Sequence, residues 1–590
     1  MKREDIEEKY TWDLSKIYPS TEAFESDFNA IQKEMDKIPN YQGNFTKNPT
    51  LFLDFMKLYE KVDRTISKLY EYAHLAMDVE PEDAEIQEKY AKAMSLYTKL
   101  QKDTVFVDLE ILENSDKVVT FLEDDNLKEY THYIQSILRS KPHVLNKEEE
   151  NLLALANDAL DSSYETYFSF RPDFKPVIID GKEHFLNYAM LLEYLKSDKE
   201  DVRRQAYENY YGEYRHYANI FANTLAGQIK KDVFYAKARK FASPLEASIF
   251  EDNAPKELFD KILYMANDKY HSYLLDYTKL RKKILKKEKL ELYDMQVPLV
   301  KTPDQKYTLE DAFSLIYKAT KNFGKEYHSI LEKAKDERWI DYMPHQGKAQ
   351  GAYSSGVYDT NPYILMSYTN DLESVFTLIH ELGHSVHTYF STNNQPYINH
   401  NYRIFVAEVA STVNENLLMN LLLKTASSKE EKLFLLYRMI EETIGLMYRQ
   451  PFFANFENIL HERVSQDESL SNPYMTSLYE KLTKEYWGPD VKIHDLAGYS
   501  CYSVPHFYYN YYVYKYTLGH AVSSVIADRI ANGDKGQTDK YLNFLKSGSS
   551  KDPIELLKEA GVDPLSDEIY DLAYTNFKKH IDEFKSIIKN

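Results

Sequence analysis

Three residues in the second half of the chain, His380, Glu381 and His384, have types and a spacing that suit metal chemistry. In a helix His380 and His384 lie one turn apart, so their imidazoles project side by side. Glu381 lies about 100° further round the helix than His380. This His-Glu-x-x-His pattern indicates a site where two neutral imidazoles bind Zn²⁺ and the glutamate reaches a water molecule. The alternative is a pair of surface histidines beside a solvated glutamate.

A helix over residues 370–390 must position this group. Asn370 is the predicted N-cap, and Glu373 follows three residues later, as in a capping box. Gly383 would allow another backbone to approach the helix closely. Four apolar residues share one face and should point into the core: Val375, Ile379, Leu382 and Val386.

A third metal ligand is predicted at Glu408. After Glu381 the sequence contains no acidic residue until Glu408, although the chain is rich in acids. Glu408 belongs to a second helical pattern, and Glu415 falls on the same face, where it can accept a hydrogen bond from a ligand imidazole. His380, His384 and Glu408 are therefore the predicted ligands of one Zn²⁺ per chain.

Spacing excludes two other kinds of zinc site. A metzincin requires a third histidine ten residues after His380, where this chain has Phe390. A thermolysin-like spacing would place the glutamate near Ile404. His387 lies close to one turn beyond His384, and we expect it to pack beside the site rather than to bind the metal.

The predicted helix over residues 370–390, called the metal helix below, is preceded by a glycine-rich segment. Three of the 17 glycines lie inside residues 347–356. Residues 362–369, which follow it, are predicted to form a strand. In His-Glu-x-x-His peptidases an edge strand at this place can pair with an extended peptide. Gly351, Ala352 and Tyr353 are therefore candidate substrate-binding residues. A phosphate loop is not indicated, because the Gly-Lys-Ser/Thr ending and its following helix are missing.

An aromatic segment near the C-terminus is predicted to be a helix that begins at Pro505, since proline suits a helix's first turn. His506, Tyr509, Asn510 and Tyr514 would then share one polar face. A buried polar face needs partners, so this helix is expected to line the site. The alternative is that its aromatic residues only pack in the core.

Composition predicts a mainly α fold. The chain of 590 residues has only 17 Gly and 20 Pro, and it is too long for one simple core. Amphipathic patterns run through most of it, while the first strand signal is a hairpin around Asp180-Gly181. We place a domain boundary near residue 200, which divides the chain into an N-terminal helical domain, 1–200, and a zinc-binding domain, 201–590.

Charge and cysteine content exclude several classes of protein. The formal net charge of −20 argues against a general nucleic-acid binder, which needs clustered Lys and Arg. Cys501 is the single cysteine, so an intrachain disulfide framework is excluded and a reducing compartment is indicated. The sequence contains no membrane-spanning apolar run and starts without an apolar signal core, so we expect a cytoplasmic protein.

Several motifs together resemble the oligoendopeptidase F group of the thimet-oligopeptidase-like zinc metallopeptidases, over nearly the whole length. These motifs lie at Tyr10–Leu14, Asp180–Glu183, Tyr293–Asp294, Gly347–Tyr353, His380–His387, Phe405–Ser411, Tyr448–Gln450 and Pro505–Tyr509. The resemblance implies a mainly helical, two-lobed fold around a deep channel, with zinc at its floor and a small β-sheet near the zinc helix. It also implies cleavage of internal bonds in short peptides.

The resemblance assigns roles to individual residues. His380, His384 and Glu408 match the zinc ligands, and Glu381 matches the general base. His506 and Tyr514 resemble the substrate-side His and Tyr groups of the family, with Tyr509 as the rival tyrosine. Two alternatives remain open: a carboxy-terminal dipeptidase on a similar scaffold, and a catalytically silent protein that binds peptides or stores zinc. The sequence leaves the oligomeric state open.

Overall fold

The computed structural model describes residues 2–589 and divides them into two compact units. Unit 1 comprises the described residues through Lys141, together with Asp304–Lys424 and Ser523–Asp563. Unit 2 comprises Pro142–Pro303, Thr425–Val522 and the described residues from Pro564. Each unit is thus assembled from three segments, and neither follows the predicted division into 1–200 and 201–590.

The fold class is mainly α with small sheets, which confirms the prediction. The helices, in chain order from α1 to α25, are Thr21–Met35, Pro49–Val79, Ala84–Thr104, Phe106–Glu113, Ser115–Phe121, Thr131–Arg139, Lys147–Ser169, Tyr188–Leu195, Glu200–His216, Ala218–Ala238, Pro244–Ile249, Lys256–Tyr264, His271–Ile284, Leu309–Ala319, Gly324–Asp336, Leu372–Asn394, Ile404–Thr425, Lys429–Thr443, Gln450–Ser465, Asn472–Trp487, Leu496–Tyr499, Tyr514–Asn532, Gln537–Leu545, Pro553–Glu559 and Asp567–Lys589. Two π-helical stretches lie at Met265–Lys269 and Ile444–Arg449. No helix among residues 2–589 combines the length and apolar character needed to cross a bilayer.

The strands form three small sheets. β1 (Val177–Ile179) and β2 (Lys182–His184) make the predicted hairpin, with Asp180 and Gly181 both at positive φ in its turn. β3 (Leu290–Glu291) pairs in parallel with β7 (Val491–Lys492). In unit 1, β4 (Ile340–Asp341), β5 (Tyr353–Ser355) and β6 (Tyr363–Leu365) form a three-stranded sheet of order β4-β6-β5, where β5 is an edge strand antiparallel to β6.

The metal helix is α16, and its cap lies one residue later than predicted. Asp371 is the N-cap, and its carboxylate accepts a hydrogen bond from the Ser374 amide at 2.8 Å. Asn370 instead takes a left-handed φ of 59°, and its carbonyl accepts a hydrogen bond from the Tyr307 amide at 2.9 Å. That contact with another segment removes Asn370 from the capping position. The predicted apolar face is confirmed, because all four of its residues are fully buried: Val375, Ile379, Leu382 and Val386.

Gly383 lets α16 pack directly on α17. A Cβ atom added at Gly383 would lie 2.7 Å from the Ser411 Cα and 3.0 Å from the Ala410 carbonyl oxygen. Only glycine permits this backbone approach, as the sequence predicted. Because Ser411 is three residues after Glu408, the close packing brings the first turns of α17 beside the histidine pair.

Candidate metal centre and active site

Three side chains from two helices of unit 1 converge at the predicted metal site. The His380 Nε2 and His384 Nε2 atoms of α16 lie 3.2 Å apart. The Glu408 Oε2 atom of α17 lies 3.5 Å from the His380 Nε2 and 3.7 Å from the His384 Nε2. Among residues 2–589, these three form a group of His and acidic side chains that could hold a metal ion.

The donor atoms fit a zinc ion in both chemistry and spacing. Two imidazole nitrogens and one carboxylate oxygen are a common catalytic donor set for Zn²⁺. A tetrahedron with bonds of about 2.05 Å has edges of roughly 3.3 Å, close to the three separations between donor atoms. The three donors would fill three corners of such a tetrahedron, and the fourth would be open to a water molecule or a substrate.

Glu415 orients one of the two imidazoles. The His380 Nδ1 donates a hydrogen bond to the Glu415 Oε1, so the His380 Nε2 faces His384 and Glu408. Burial alone would lower the pKa of His380, but the Glu415 contact and the nearby carboxylates raise it to about 9. Burial and the neighbouring His380 lower the pKa of His384, so the metal-free pair of imidazoles carries one positive charge, on His380, near neutral pH.

Glu381 occupies a buried position beside this group, with 6% of its surface exposed. Burial raises its pKa to about 7, while the His380 charge and the Ser354 backbone amide favour the ionised form. A carboxyl group with a pKa near neutral is suited to accept a proton and release it again. The side chain is not itself one of the three converging donors.

The edge strand β5 is attached to the metal helix and to α2. The Ser354 and Ser385 hydroxyls are 2.7 Å apart, which joins β5 to α16. On the α2 side, Tyr353 donates a hydrogen bond to Asp78 at 2.6 Å, and Ser355 donates one to Glu71 at 3.0 Å. These side-chain contacts hold β5 next to Glu381, and no other strand of the described residues pairs with its outer edge.

The glycine-rich candidates lie at the beginning of β5. Gly351 has a φ of 91°, and a Cβ atom there would meet nothing within 4 Å. Ala352 is partly exposed, whereas the Tyr353 hydroxyl is occupied by Asp78. The backbone of this segment, rather than the Tyr353 side chain, is therefore the part available to a ligand.

His387 does not join the metal group. Its ring is almost fully buried and stacks on the Tyr402 ring with centroids 3.6 Å apart. Burial lowers its pKa to about 3, so the ring stays neutral. The structure thus places His387 in a packing role, outside the three converging donors.

The aromatic segment at 505–514 belongs to unit 2 and is not the continuous helix predicted from the sequence. A short 3-10 helix spans Pro505–Tyr508, and α22 begins only at Tyr514. Between them Asn510 and Tyr511 have φ values of 47° and 57°. The buried Glu457 accepts a hydrogen bond from the Tyr511 amide at 2.7 Å, so a tertiary contact holds the chain away from helical geometry.

The predicted common face of His506, Tyr509, Asn510 and Tyr514 is therefore wrong. Tyr509 is 41% exposed, and His506 is half-buried with a pKa lowered by that burial. Tyr514 is fully buried against Phe259, with ring centroids 5.8 Å apart, and its hydroxyl lacks a hydrogen-bond partner within the described chain. These side chains point into different surroundings.

Sequence reasoning missed the residues that hold β5, namely Glu71, Asp78, Ser354 and Ser385. Glu71 and Asp78 lie in the long amphipathic pattern of α2, where acidic residues normally indicate a solvated face. Glu71 is instead only 2% exposed. A buried acid within an otherwise regular helix leaves no signal in the local sequence, because its partner Ser355 is hundreds of positions away.

Comparison with known proteins agrees with this geometry. The family model described as Peptidase family M3 matches residues 193–575, and the model described as Oligopeptidase F matches residues 110–171.

Curated relatives extend the likeness over the full chain. It is 37% identical to oligopeptidase PepF of Bacillus subtilis, across 99% of this chain and 88% of the relative. It is 32% identical to group B oligopeptidase PepB of Streptococcus agalactiae, across 99% of this chain and 98% of the relative.

Solved structures show the same fold. A crystal structure from Chlamydophila abortus has a TM-score of 0.93 at 31% identity and covers 99% of both chains. That of oligoendopeptidase-F from Enterococcus faecium has a TM-score of 0.73 at 30% identity and covers 96% of this chain and 99% of the other. The family model, the relatives and the fold agree that this chain is a peptidase of family M3 and belongs to its oligoendopeptidase F group.

Proposed function

We propose that the chain is a zinc-dependent endopeptidase that hydrolyses internal bonds of short peptides. The observation that carries the proposal is the placement of three zinc-type donor atoms at tetrahedral spacings, with Glu381 beside them. His380, His384 and Glu408 would hold one Zn²⁺, which supplies a Lewis acid that lowers the pKa of water toward ~7. The free and buried Cys501 also supports the cytoplasm as its compartment.

Glu381 is the proposed general base. Its carboxylate accepts a proton from the attacking water and then donates that proton to the leaving amine. The pKa of about 7, set by burial, suits both steps, because the group neither holds its proton too strongly nor loses it too easily. The Ser354 amide favours the carboxylate form, and in this way β5 contributes to the base as well as to the site's shape.

The outer edge of β5 is the proposed binding place for the substrate backbone. An extended peptide that adds to an edge strand forms main-chain hydrogen bonds that do not depend on its side chains. Gly351, Ala352 and Tyr353 begin this strand, and the open space around Gly351 leaves room for a ligand backbone. This mode of binding is consistent with peptides of varied sequence as substrates.

His506, Tyr509 and Tyr514 are proposed substrate-side groups, which would donate hydrogen bonds to the carbonyl oxygen as negative charge develops on it. One such donor is typically worth about 3 kcal/mol of transition-state stabilisation. His506 and the exposed Tyr509 are accessible from the surface of unit 2. Tyr514 would have to leave its buried place to take part, so Tyr509 is the better supported tyrosine.

The test combines zinc analysis with an internally quenched short peptide. The wild-type protein should contain one zinc per chain and cleave the peptide at an internal bond. Glu381→Gln should keep the zinc and lower kcat by about 10²–10⁴-fold, whereas Glu373→Gln, exposed in the first turn of the same helix, should remain active. Absence of zinc, or near-normal turnover in Glu381→Gln, would refute the proposal.

The carboxy-terminal dipeptidase alternative makes a different demand on the substrate, because it requires a free terminal carboxylate. A peptide that ends in alanine and its amidated form should be cleaved at the same internal bond with similar kcat/KM. A loss of cleavage on amidation would favour the dipeptidase instead.

A further inference from the structure

A concave site lies wholly within unit 2; its lining includes His506, one of the proposed substrate-side groups, but none of the metal ligands. It is a cavity of about 730 Å³, a size that holds a small organic ligand. Aromatic residues dominate its walls, including Tyr207, Tyr211, Phe452, Tyr479, Tyr486 and Trp487. The rings brace one another: Phe452 and Tyr486 have centroids 5.1 Å apart, and Tyr486 and Trp487 have centroids 4.6 Å apart. The walls are therefore preorganised to contact a flat apolar group.

The charged side chains that line this cavity are positive, although the chain as a whole is negative. The formal net charge is −20, yet none of the described residues that line this cavity is acidic, while Arg171 and Arg449 both are part of it. Arg171 is engaged by the chain itself, because its guanidinium donates to the Phe168 and Phe170 carbonyl oxygens. The lining therefore disfavours a cationic ligand, and the Arg449 guanidinium is the lining cation that could pair with an anionic one.

Arg449, like Arg171, has no carboxylate partner in the described part of the chain. It ends the π-helical stretch Ile444–Arg449, a kind of distortion that often occurs at functional sites. Burial raises the pKa values of Tyr211, Tyr479 and Tyr486, and the charge of Arg449 opposes that rise in all three. The guanidinium therefore lies among these hydroxyls. The acid that also acts on Tyr486 is Glu441, which is paired with Arg281 at 3.1 Å.

Two buried polar atoms of the lining also lack partners. The Tyr207 hydroxyl belongs to a residue that is 7% exposed, and it makes no hydrogen bond within the described residues. The Oε1 atom of Gln450, next to Arg449, is likewise unsatisfied. Buried polar groups are normally hydrogen-bonded, so this set indicates a missing polar ligand.

We propose that this cavity binds an aromatic ring that carries a carboxylate, as at the aromatic C-terminal residue of a peptide, with Arg449 paired to the carboxylate. The ring packs against the aromatic walls, and the tyrosine hydroxyls donate to the oxygens that Arg449 does not satisfy. That peptides supply this ligand rests on the proposed peptidase function. Binding of an aromatic carboxylate does not depend on it, so the test needs no turnover.

Calorimetric titration of the full-length protein tests the proposal. N-acetyl-L-phenylalanine should bind at least tenfold more tightly than N-acetyl-L-phenylalaninamide, which lacks the charge, and N-acetylglycine, which lacks the ring. Arg449→Gln should weaken binding of the acid at least tenfold and abolish the preference over the amide. The matched control is Arg204→Gln, an exposed unit 2 arginine outside the lining that is paired with Asp201, and it should bind as the wild type does.

A second lining variant and a further ligand complete the binding test. Leu192→Trp fills the cavity from another wall, keeps Arg449 and should also abolish binding, which protects the test if Arg449→Gln fails to fold. Equal binding of acid and amide, or wild-type binding by either lining variant, would overturn the proposal. 3-Phenylpropionate distinguishes a free aromatic acid from a peptide end: if it binds tenfold more tightly than N-acetyl-L-phenylalanine, the peptide assignment is overturned. A peptidase that proves inactive would leave these binding results unchanged.

Discussion

The Nδ1 atom of His380 donates a hydrogen bond to the carboxylate of Glu415, which lies 35 positions later on the next helix. The bond fixes the ring so that its other nitrogen faces the His384 and Glu408 donor atoms. It also links α16 and α17 through a side chain that is not a metal ligand. The geometry of the donor group thus depends on a residue outside it.

Replacing Glu415 should therefore weaken metal binding while all three ligands remain. Glu415→Gln removes the charge that orients His380, and we expect zinc affinity to fall about 10–100-fold. A competition titration with a chromogenic chelator measures the affinity. Glu430→Gln, exposed near the start of α18, is the matched control and should not change it. An unchanged affinity in Glu415→Gln would show that the ring is oriented by other contacts.

Gly383→Ala should damage both the stability of the protein and its metal site. The new Cβ atom would lie 2.7 Å from the Ser411 Cα, so α17 must shift, at a cost of about 1–3 kcal/mol in the free energy of unfolding. The shift would also carry Glu408 away from the histidines. Denaturant unfolding and zinc titration measure the two effects.

Gly212→Ala is the control for that substitution. Gly212 is also inside a helix, but a Cβ atom there would meet nothing within 4 Å. Alanine should stabilise the protein by up to about 1 kcal/mol through its higher helix propensity. If both alanine variants behaved alike, close packing at Gly383 would not be the cause of any loss.

Glu71 should make stability depend on pH. Burial raises its pKa from 4.5 to about 7 in the folded protein. Between those values the folded state holds a proton that the unfolded state releases, so its contribution to stability is complete below pH 4.5 and is lost as pH rises through 7. Glu71→Gln removes this loss, and its free energy of unfolding relative to wild type should rise by up to about 3 kcal/mol between pH 5 and pH 8.

Chemical denaturation at several pH values measures that difference. Glu123→Gln, which replaces an exposed acid of the same unit, should show no such trend. A constant difference between Glu71→Gln and wild type across the range would contradict the prediction.

The two rival tyrosines can be separated by removing one hydroxyl at a time. Tyr509→Phe should lower kcat by about 100-fold with little change in KM, if its exposed hydroxyl stabilises the developing charge. Tyr514→Phe removes a buried hydroxyl that has no partner in the described chain, so stability should stay equal or increase. A selective loss of kcat in Tyr514→Phe would instead assign the role to Tyr514.

Local pattern was sufficient to predict the helices that carry the metal donors. The spacing of His380 and His384, the acid-free stretch before Glu408 and the small Gly383 each reflect a requirement within one or two adjacent helices. Side chains one turn apart on a helix converge wherever that helix lies, so the rest of the fold was not needed to predict their spacing.

The errors occurred where a distant segment decides the local backbone. Asn370 loses the capping position because its carbonyl bonds to Tyr307. The helix predicted from Pro505 is interrupted because buried Glu457 binds the Tyr511 amide. Glu71 looks like any helix-surface acid until Ser355 is brought against it. In each case a long-range hydrogen bond outweighs a propensity of less than about 1 kcal/mol.

The three-segment construction of unit 1 has a consequence for how the protein is made. Its last segment is Ser523–Asp563, so the nascent chain cannot complete this unit until residue 563 has left the ribosome. The helices that carry His380, His384 and Glu408 are synthesised long before that last segment. A protein truncated after Thr425 would hold His380, His384 and Glu408 and still lack Ser523–Asp563, the last segment of the unit to which they belong.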